Sequence, residues 1–258
     1  GGGGDIFRPG AGNDTVTVDW AYGDYRFRPW LGVRVGKIKL PIGLYNETRD
    51  MDAARTGVFL PQAVYFEMTR ESLLATQGVS LYGRIPLGRL GAIPYQLLAG
   101  STSFPAGGSF EALLNASSGG AMGIKPTSNA RNLTASVEWE TPLRGLRLAF
   151  SEFYTHWDQA GTTQVDIPTP TGQVIPKGSK VNTDMKRLNI ETYSAEFIWR
   201  DLTVAAEYTR RRIKMASAME TAPGSGIYAE NPDQKNSDDG FYVSAAYRLA
   251  PWMEVGSY

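Results

Sequence analysis

The sequence predicts an all-β protein, and more narrowly an antiparallel transmembrane β-barrel that is partial, with about ten strands visible. Three observations lead to this prediction. Apolar and polar residues alternate with a period of two, short and long connections alternate along the chain, and aromatic residues gather near strand ends on the apolar face. We expect residues 1–258 to form a single domain that is incomplete at both ends, because the final run is too short to span a bilayer.

The composition excludes several classes of function. Lys and Arg number 26 and Asp and Glu number 26, so the chain lacks the basic excess of a nucleic-acid binder. It has no cysteine and one histidine, which removes disulfides, thiolate nucleophiles and zinc sites that need sulfur or two imidazoles. No run approaches 18 consecutive apolar residues, so no transmembrane helix is expected. We therefore expect no cofactor, no metal and no nucleic-acid partner.

Strands are predicted wherever the alternation is sustained. The ten runs are Thr15–Tyr22, Leu31–Leu40, Val79–Ile85, Tyr95–Ala99, Leu133–Glu140, Leu146–Phe150, Thr192–Trp199, Leu202–Thr209, Phe241–Arg248 and Trp252–Tyr258. Two of these patterns extend further, over Lys186–Trp199 and Leu202–Ile213, and so reach the roughly 9–11 residues that a tilted strand needs to cross a bilayer. The apolar phase shifts at Gly36, and a glycine at such a shift predicts a β-bulge.

The connections between the runs alternate strictly in length. The short ones are Gly23–Arg26, Pro86–Gly91, Thr141–Gly145, Arg200–Asp201 and Ala250–Pro251, and the long ones are 41–76, 101–130, 158–185 and 214–238. Outer-membrane barrels have short periplasmic turns and long extracellular loops, whereas Greek-key sandwiches place long connections at both ends. The alternation therefore favours a barrel over a soluble sandwich.

The polar face of the predicted sheet carries charges interleaved with Ser, Thr and Ala. The candidate pore-lining residues on the strands are Arg84, Glu138, Glu140, Glu196, Glu207 and Arg248. Unpaired charges are costly in a packed core, but a water-filled lumen would solvate them. The middle of the apolar face carries no charge, and an Arg or Lys there would cost about 2–4 kcal/mol at the bilayer midplane.

The most distinctive motif runs from Val33 to Tyr65, and its key residues are Gly36, Lys37, Lys39, Pro41 and Gly43. Pro41 has no N–H with which to continue a ladder, and Gly43 permits a sharp change of direction. The motif resembles that of bacterial outer-membrane porins of the phosphate-selective porin O/P-like group, in an uncharacterised proteobacterial branch.

The resemblance implies that the long loop 41–76 folds toward the pore and narrows it. The charges expected to line this constriction and its approach are Lys37, Lys39, Glu47, Arg49, Asp50 and Arg55. It also implies a homotrimer in the bacterial outer membrane. Because charges of both signs are present, we do not transfer the phosphate preference of that group. The expected function is passive diffusion of small hydrophilic solutes or ions, without catalysis.

Two other classes of function stay open. Asp5 and Asp14 are nine residues apart in a Gly-rich stretch, as in calcium-binding β-roll repeats, but two copies are fewer than the roughly three that a solenoid needs. A secreted soluble β-sandwich or β-roll that binds calcium or carbohydrate is therefore the alternative. An outer-membrane enzyme is the other, with His156 near Ser151 and Asp158 as its only catalytic candidate.

Overall fold

The computed structural model of the chain describes residues 18–49, 60–65, 73–103, 111–112, 115–116, 119–125, 130–169 and 172–258. Within these residues the protein is all-β and antiparallel, as predicted. The strands are β1 Ala21–Arg28, β2 Leu31–Lys39, β3 Ala75–Pro86, β4 Ala92–Thr102, β5 Met122–Ile124, β6 Ala130–Glu140, β7 Leu146–Thr163, β8 Ile167–Pro168, β9 Val174–Ile175, β10 Lys180–Trp199, β11 Leu202–Glu220, β12 Tyr228–Ala250 and β13 Met253–Ser257.

Ten of these strands form one continuous meander in the order β1-β2-β3-β4-β6-β7-β10-β11-β12-β13. The short strand β5 pairs with the end of β7 and makes an eleventh member, while β8 and β9 form a separate ribbon. In the part of the chain that the structure describes, β1 and β13 are edge strands, so the sheet is open. No described helix is long and apolar enough to cross a membrane.

The first predicted turn is wrong. Residues 23–26 lie inside β1, and the chain turns instead at Pro29 and Trp30. Gly23 and Asp24 suggested a turn by type, yet Asp24 pairs with Arg34 of β2 in regular register. Residues 15–17 of the first predicted run, and the Gly-rich stretch with Asp5 and Asp14, lie outside the described residues.

The predicted bulge at Gly36 is also wrong. Gly36 pairs with Tyr22 on one side and Gly78 on the other without a shift of register, although its φ is +141°. A Cβ at this position would lie 2.7 Å from the Cα of Tyr22, so the close approach of β1 requires glycine. The apolar residues of β2 change face along the strand, because Val35 lies on the exposed face whereas Ile38 lies on the inner face, where it is buried.

The last two long connections are shorter than the sequence suggests. β7 runs on to Thr163 and β10 starts at Lys180, and likewise β11 runs to Glu220 and β12 starts at Tyr228. These extensions contain polar residues on both faces, so they lack the apolar alternation that marks a strand in the sequence. The predicted connection 41–76 falls between β2 and β3 except for its last two residues, which begin β3, and 101–130 falls largely between β4 and β6.

The two faces of the sheet are inverted relative to a soluble protein. Large apolar side chains such as Val137, Phe241 and Val243 are exposed, with Val243 60% and Phe241 73% accessible. Polar side chains on the other face are buried, including Thr134, Thr192 and Glu207. The strand alternation predicted from the sequence is therefore present, with the apolar side turned away from the rest of the chain.

The sheet curves toward its polar face. Ile38 of β2 and Ile190 of β10 belong to one buried apolar cluster, yet five strand spacings separate their strands in the sheet. In a flat sheet these two strands would be about 24 Å apart, well beyond side-chain contact. The polar face is thus the concave inner face, and the apolar face is the convex outer face.

Candidate functional site

The segment that follows β2 crosses the concave face. Its described residues are 40–49 and 60–65, and we call them the crossing segment. The backbone N–H of Gly43 donates a 2.9 Å hydrogen bond to Ser151 Oγ on β7, and Leu44 N–H donates a 2.8 Å bond to Glu207 Oε1 on β11. The segment therefore reaches from β2 to the far wall of the sheet.

Glu207 is the main anchor of the crossing segment. Its Oε1 accepts hydrogen bonds from Leu44 N–H and from Ser194 Oγ at 2.6 Å, and its Oε2 accepts bonds from the hydroxyls of Tyr65 and Tyr242, both at 2.6 Å. The side chain is only 2% exposed. Hydrogen bonds to a carboxylate are shorter and stronger than neutral ones, so four donors stabilise the buried charge.

Local backbone geometry makes this approach possible. Gly43 has φ +60°, in the left-handed region that favours glycine. A Cβ there would lie 2.7 Å from Glu207 Oε1 and would also collide with the hydroxyl of Tyr65. Tyr65 OH in turn accepts a 2.9 Å bond from Tyr45 N–H, which ties residues 40–49 and 60–65 together. The structure therefore requires glycine at position 43.

An apolar cluster fills the concavity beside the crossing segment. Its buried members are Ile38, Leu40, Ile42, Leu98, Phe153 and Ile190, contributed by β2, the segment, β4, β7 and β10. Asn46 fixes the segment over the cluster, because its Nδ2 donates to Leu40 O at 2.8 Å and to Leu73 O at 2.9 Å. Part of the interior is therefore packed with side chains.

The predicted strand charges are paired across the concave face. Arg147 of β7 bridges Glu138 at 3.3 Å and Glu196 at 2.7 Å, and Arg84 forms a two-pronged ion pair with Glu140. The sequence predicted unpaired charges solvated by water, but each of these carboxylates has an arginine partner. Arginine forms such paired bonds readily because its guanidinium is a planar fork.

Of the predicted loop charges, four are described. Lys37 Nζ donates to Val18 O at 2.7 Å, and Lys39 Nζ donates to Glu47 O at 2.7 Å. Arg49 is buried and donates through Nη2 to Tyr65 O at 3.2 Å, so it holds the segment together. Asp50 and Arg55 lie outside the described residues.

Electrostatics within the segment follow from its position in the concavity. Enclosure in the concavity raises the pKa of the Glu47 carboxyl, although the side chain is still exposed to solvent. The positive charges of Arg34 and Lys39 oppose this rise, and the negative charge of Glu138 adds to it. Burial, followed by the negative charges of Glu196 and Glu207, raises the pKa of the Tyr45 hydroxyl. The Tyr45 hydroxyl therefore stays protonated at neutral pH and remains a donor to Glu196 Oε1.

A second cluster near the β1 edge was missed by sequence reasoning. Arg34 Nε donates to Asp24 Oδ2 at 2.9 Å, Tyr82 OH also bonds to Asp24, and the Arg34 guanidinium lies 4.2 Å from the centroid of the Tyr82 ring. Arg34 and Asp24 pair in the β1–β2 ladder, and Tyr82 lies on the adjacent strand β3, so the strand register brings the three side chains together.

The space beneath the crossing segment is an open cavity of about 1020 Å³. It lies at the short-turn end of β10 to β13, and the segment forms its roof through Tyr45, Leu60 and Pro61. Its wall includes Glu196 and Arg248 from the predicted set. Arg84, Glu138 and Glu140 do not line it.

The enzymatic alternative finds no support in the local geometry of His156. Ser151 is buried on the inner face of β7, whereas His156 is exposed on the outer face, so the two cannot form a hydrogen-bonded pair in this strand. Among the residues whose positions are described, no group of three His, Asp or Glu side chains is placed to hold a metal ion.

Comparison with known proteins gives no relative: no family model, no curated protein and no solved structure matches the chain.

Proposed function

We propose that this chain forms part of the wall of an outer-membrane β-barrel channel, through which small hydrophilic solutes diffuse passively. The observation that carries the proposal is the inverted burial of the sheet. Exposing a continuous apolar face to water would cost about 25 cal/mol per Å², whereas hydrocarbon chains would cover it at no such cost. A polar concave face suits a solvated passage.

The outer face also has the profile expected of a bilayer-spanning band. On its loop side, Tyr193 and Tyr208 pack with ring centroids 6.2 Å apart. Immediately beyond them the same face becomes charged, with Glu191 paired to Arg212 at 2.9 Å and Arg210 paired to Asp239 at 3.1 Å. Aromatic rings followed by charges are typical of a membrane–water interface.

The length of this band fits a membrane. On β10 the stretch from the charged boundary at Glu191 to Trp199 is nine residues long, which matches the roughly 9–11 that a tilted strand needs. Trp199 and Tyr247 lie at the short-turn end of the outer face, both largely exposed. We therefore place residues 180–190 of β10, and the matching parts of β11 and β12, beyond the membrane on the long-loop side.

The crossing segment would narrow the passage. Its anchors at Ser151 and Glu207 hold it across the concave face, and the apolar cluster beside it closes part of the interior to solute. Selection would then depend on size at the segment and on the paired charges of the wall. No cofactor is required, because the step is diffusion.

A membrane location requires partners for the two free edges. Unpaired backbone groups in hydrocarbon cost several kcal/mol each, so β1 and β13 must be paired when the sheet is in a bilayer. The proposal accordingly includes further strands that close the barrel. The homotrimer implied by the porin resemblance stays a prediction.

Reconstitution tests the proposal. The full-length protein, purified in detergent and added to planar lipid bilayers, should produce discrete ion-conducting steps and resist proteolysis over residues 191–212. Replacing His156 with Ala should leave the conductance unchanged, because His156 lies on the outer face. A protein that stays monodisperse without detergent and gives no conductance would contradict the proposal.

A further inference from the structure

The carboxylates that line the cavity beneath the crossing segment are both engaged in ion pairs. Glu196 on its wall is paired with Arg147 at 2.7 Å, and Glu254 on its wall is paired with Arg248 at 3.8 Å. Each carboxylate thus has an arginine beside it. A phosphate site would need an excess of positive charge, whereas the charged side chains of this wall are two carboxylates and one arginine, Glu196, Glu254 and Arg248.

The same cavity presents aromatic surface beside these polar groups. Tyr45, Tyr242 and Trp252 all line it. Tyr242 uses its hydroxyl to hold Glu207, and Tyr45 donates its hydroxyl to Glu196 at 3.2 Å. Their hydroxyls are therefore engaged, and their rings supply flat apolar surface rather than further charge.

The polar groups complement hydroxyls in particular. A carboxylate accepts hydrogen bonds and a guanidinium donates them, so an Arg–Glu pair offers both to a ligand that carries O–H groups. Such charge-assisted bonds are roughly twice as strong as neutral ones. The open cavity, at about 1020 Å³, is slightly larger than the roughly 300–1,000 Å³ of sites that enclose small organic ligands, so a solute of that size can enter it.

From these features we infer that the cavity binds a neutral polyhydroxylated solute of mono- or disaccharide size, with sugar C–H faces against the rings and sugar hydroxyls on the Arg–Glu pairs. The inference rests on the proposed channel function and names its class of solute. Phosphate is disfavoured, because Glu196 and Glu254 would repel it. The site lies on the permeation path, since the crossing segment is its roof.

Sucrose and inorganic phosphate are the probes for planar-bilayer recordings. Sucrose should interrupt the ion current reversibly and saturably, and phosphate at equal concentration should not. Glu254→Gln removes one charged acceptor from the cavity and should raise the half-blocking concentration of sucrose by about tenfold. Glu191→Gln is the matched control, because it breaks an Arg–Glu pair on the outer face, away from the cavity, and it should leave the block by sucrose unchanged.

A second measurement separates this inference from the channel proposal. Sucrose added to the protein in detergent should change the fluorescence of Trp252, taken as the difference between the unaltered protein and Trp252→Phe. Conducting channels without a saturable sucrose effect would overturn the sugar site and leave the channel intact. A fluorescence change in a protein that does not conduct would overturn the channel and keep the site. Equal block by phosphate would also overturn the inference.

Discussion

The hydroxyl of Tyr65 donates a 2.6 Å hydrogen bond to Glu207 Oε2, across 142 positions of sequence. This contact fixes the crossing segment to β11, on the opposite wall of the concavity. Glu207 itself is buried, so the bond is shielded from solvent. The attachment of the segment to β11 therefore rests on one carboxylate that no local pattern in the sequence marks as special.

Replacing Tyr65 with Phe should loosen the crossing segment. The change removes one donor from Glu207 and one acceptor from Tyr45 N–H, and leaving buried polar groups unpaired costs about 1–3 kcal/mol. We expect a larger and noisier single-channel conductance and a lower unfolding temperature in detergent. Tyr25→Phe is the control, because Tyr25 is exposed on the outer face. If both variants behave alike, the segment is not held by Glu207.

Replacing Val243 with Arg should prevent insertion into a membrane. Val243 lies in the middle of the outer apolar band, where an arginine costs about 2–4 kcal/mol. Ser237→Arg is the matched control, since Ser237 is on the same face of β12 but beyond the charged boundary at Asp239. The yield of folded protein in lipid vesicles measures the effect. Equal yields would show that Val243 does not face hydrocarbon.

The strand extensions should be stable in mild acid. Asp233 of β12 pairs with Lys186 at 2.6 Å and with Lys214 at 2.7 Å, and hydrogen bonds from these two lysines lower the pKa of its carboxyl to about 2. This pKa lies below the 3.8 of an ordinary aspartate, so the stabilisation is complete above pH 3.8 and is lost as the pH falls toward about 2. These groups lie outside the proposed spanning band.

Hydrogen exchange of residues 180–190 and 228–238 checks this pH dependence. Protection should be the same at pH 7 and pH 5 and should fall between pH 4 and pH 2. Asp233→Asn should remove that fall, because the titrating group is gone. A decline that sets in near pH 5, or one that persists in Asp233→Asn, would assign the acid sensitivity to other carboxyl groups.

The sequence predicted the faces of the sheet well and its ends less well. Val137, Val243 and Phe241 alternate with polar neighbours, and the structure exposes all three, because period-two alternation alone fixes the face of a residue. The turn at 23–26 was wrong because Gly and Asp favour turns, while the ladder with β2 outweighs that local preference. The extensions of β7 to Thr163 and of β11 to Glu220 were missed because they contain polar residues on both faces.

The site was less predictable than the fold. Glu196 and Glu207 were assigned correctly to the polar face, but the pairing of Glu196 with Arg147 and the burial of Glu207 depend on strand neighbours far apart in sequence. Arg147 itself was not singled out, since it follows a short turn. The Glu207 anchor requires Tyr65 and Leu44 from a connecting segment, whose path no alternation pattern describes.

Spin labelling tests the central claim that lipid covers the outer face most directly. The chain has no cysteine, so single cysteines can be introduced and labelled at Val137, Phe197 and Val243, with Ser136 and Ser244 as inner-face controls. In lipid vesicles the outer labels should collide more with oxygen, which concentrates in hydrocarbon, and the inner labels more with a water-soluble nickel chelate. Outer labels that collide mainly with the nickel chelate would contradict the account.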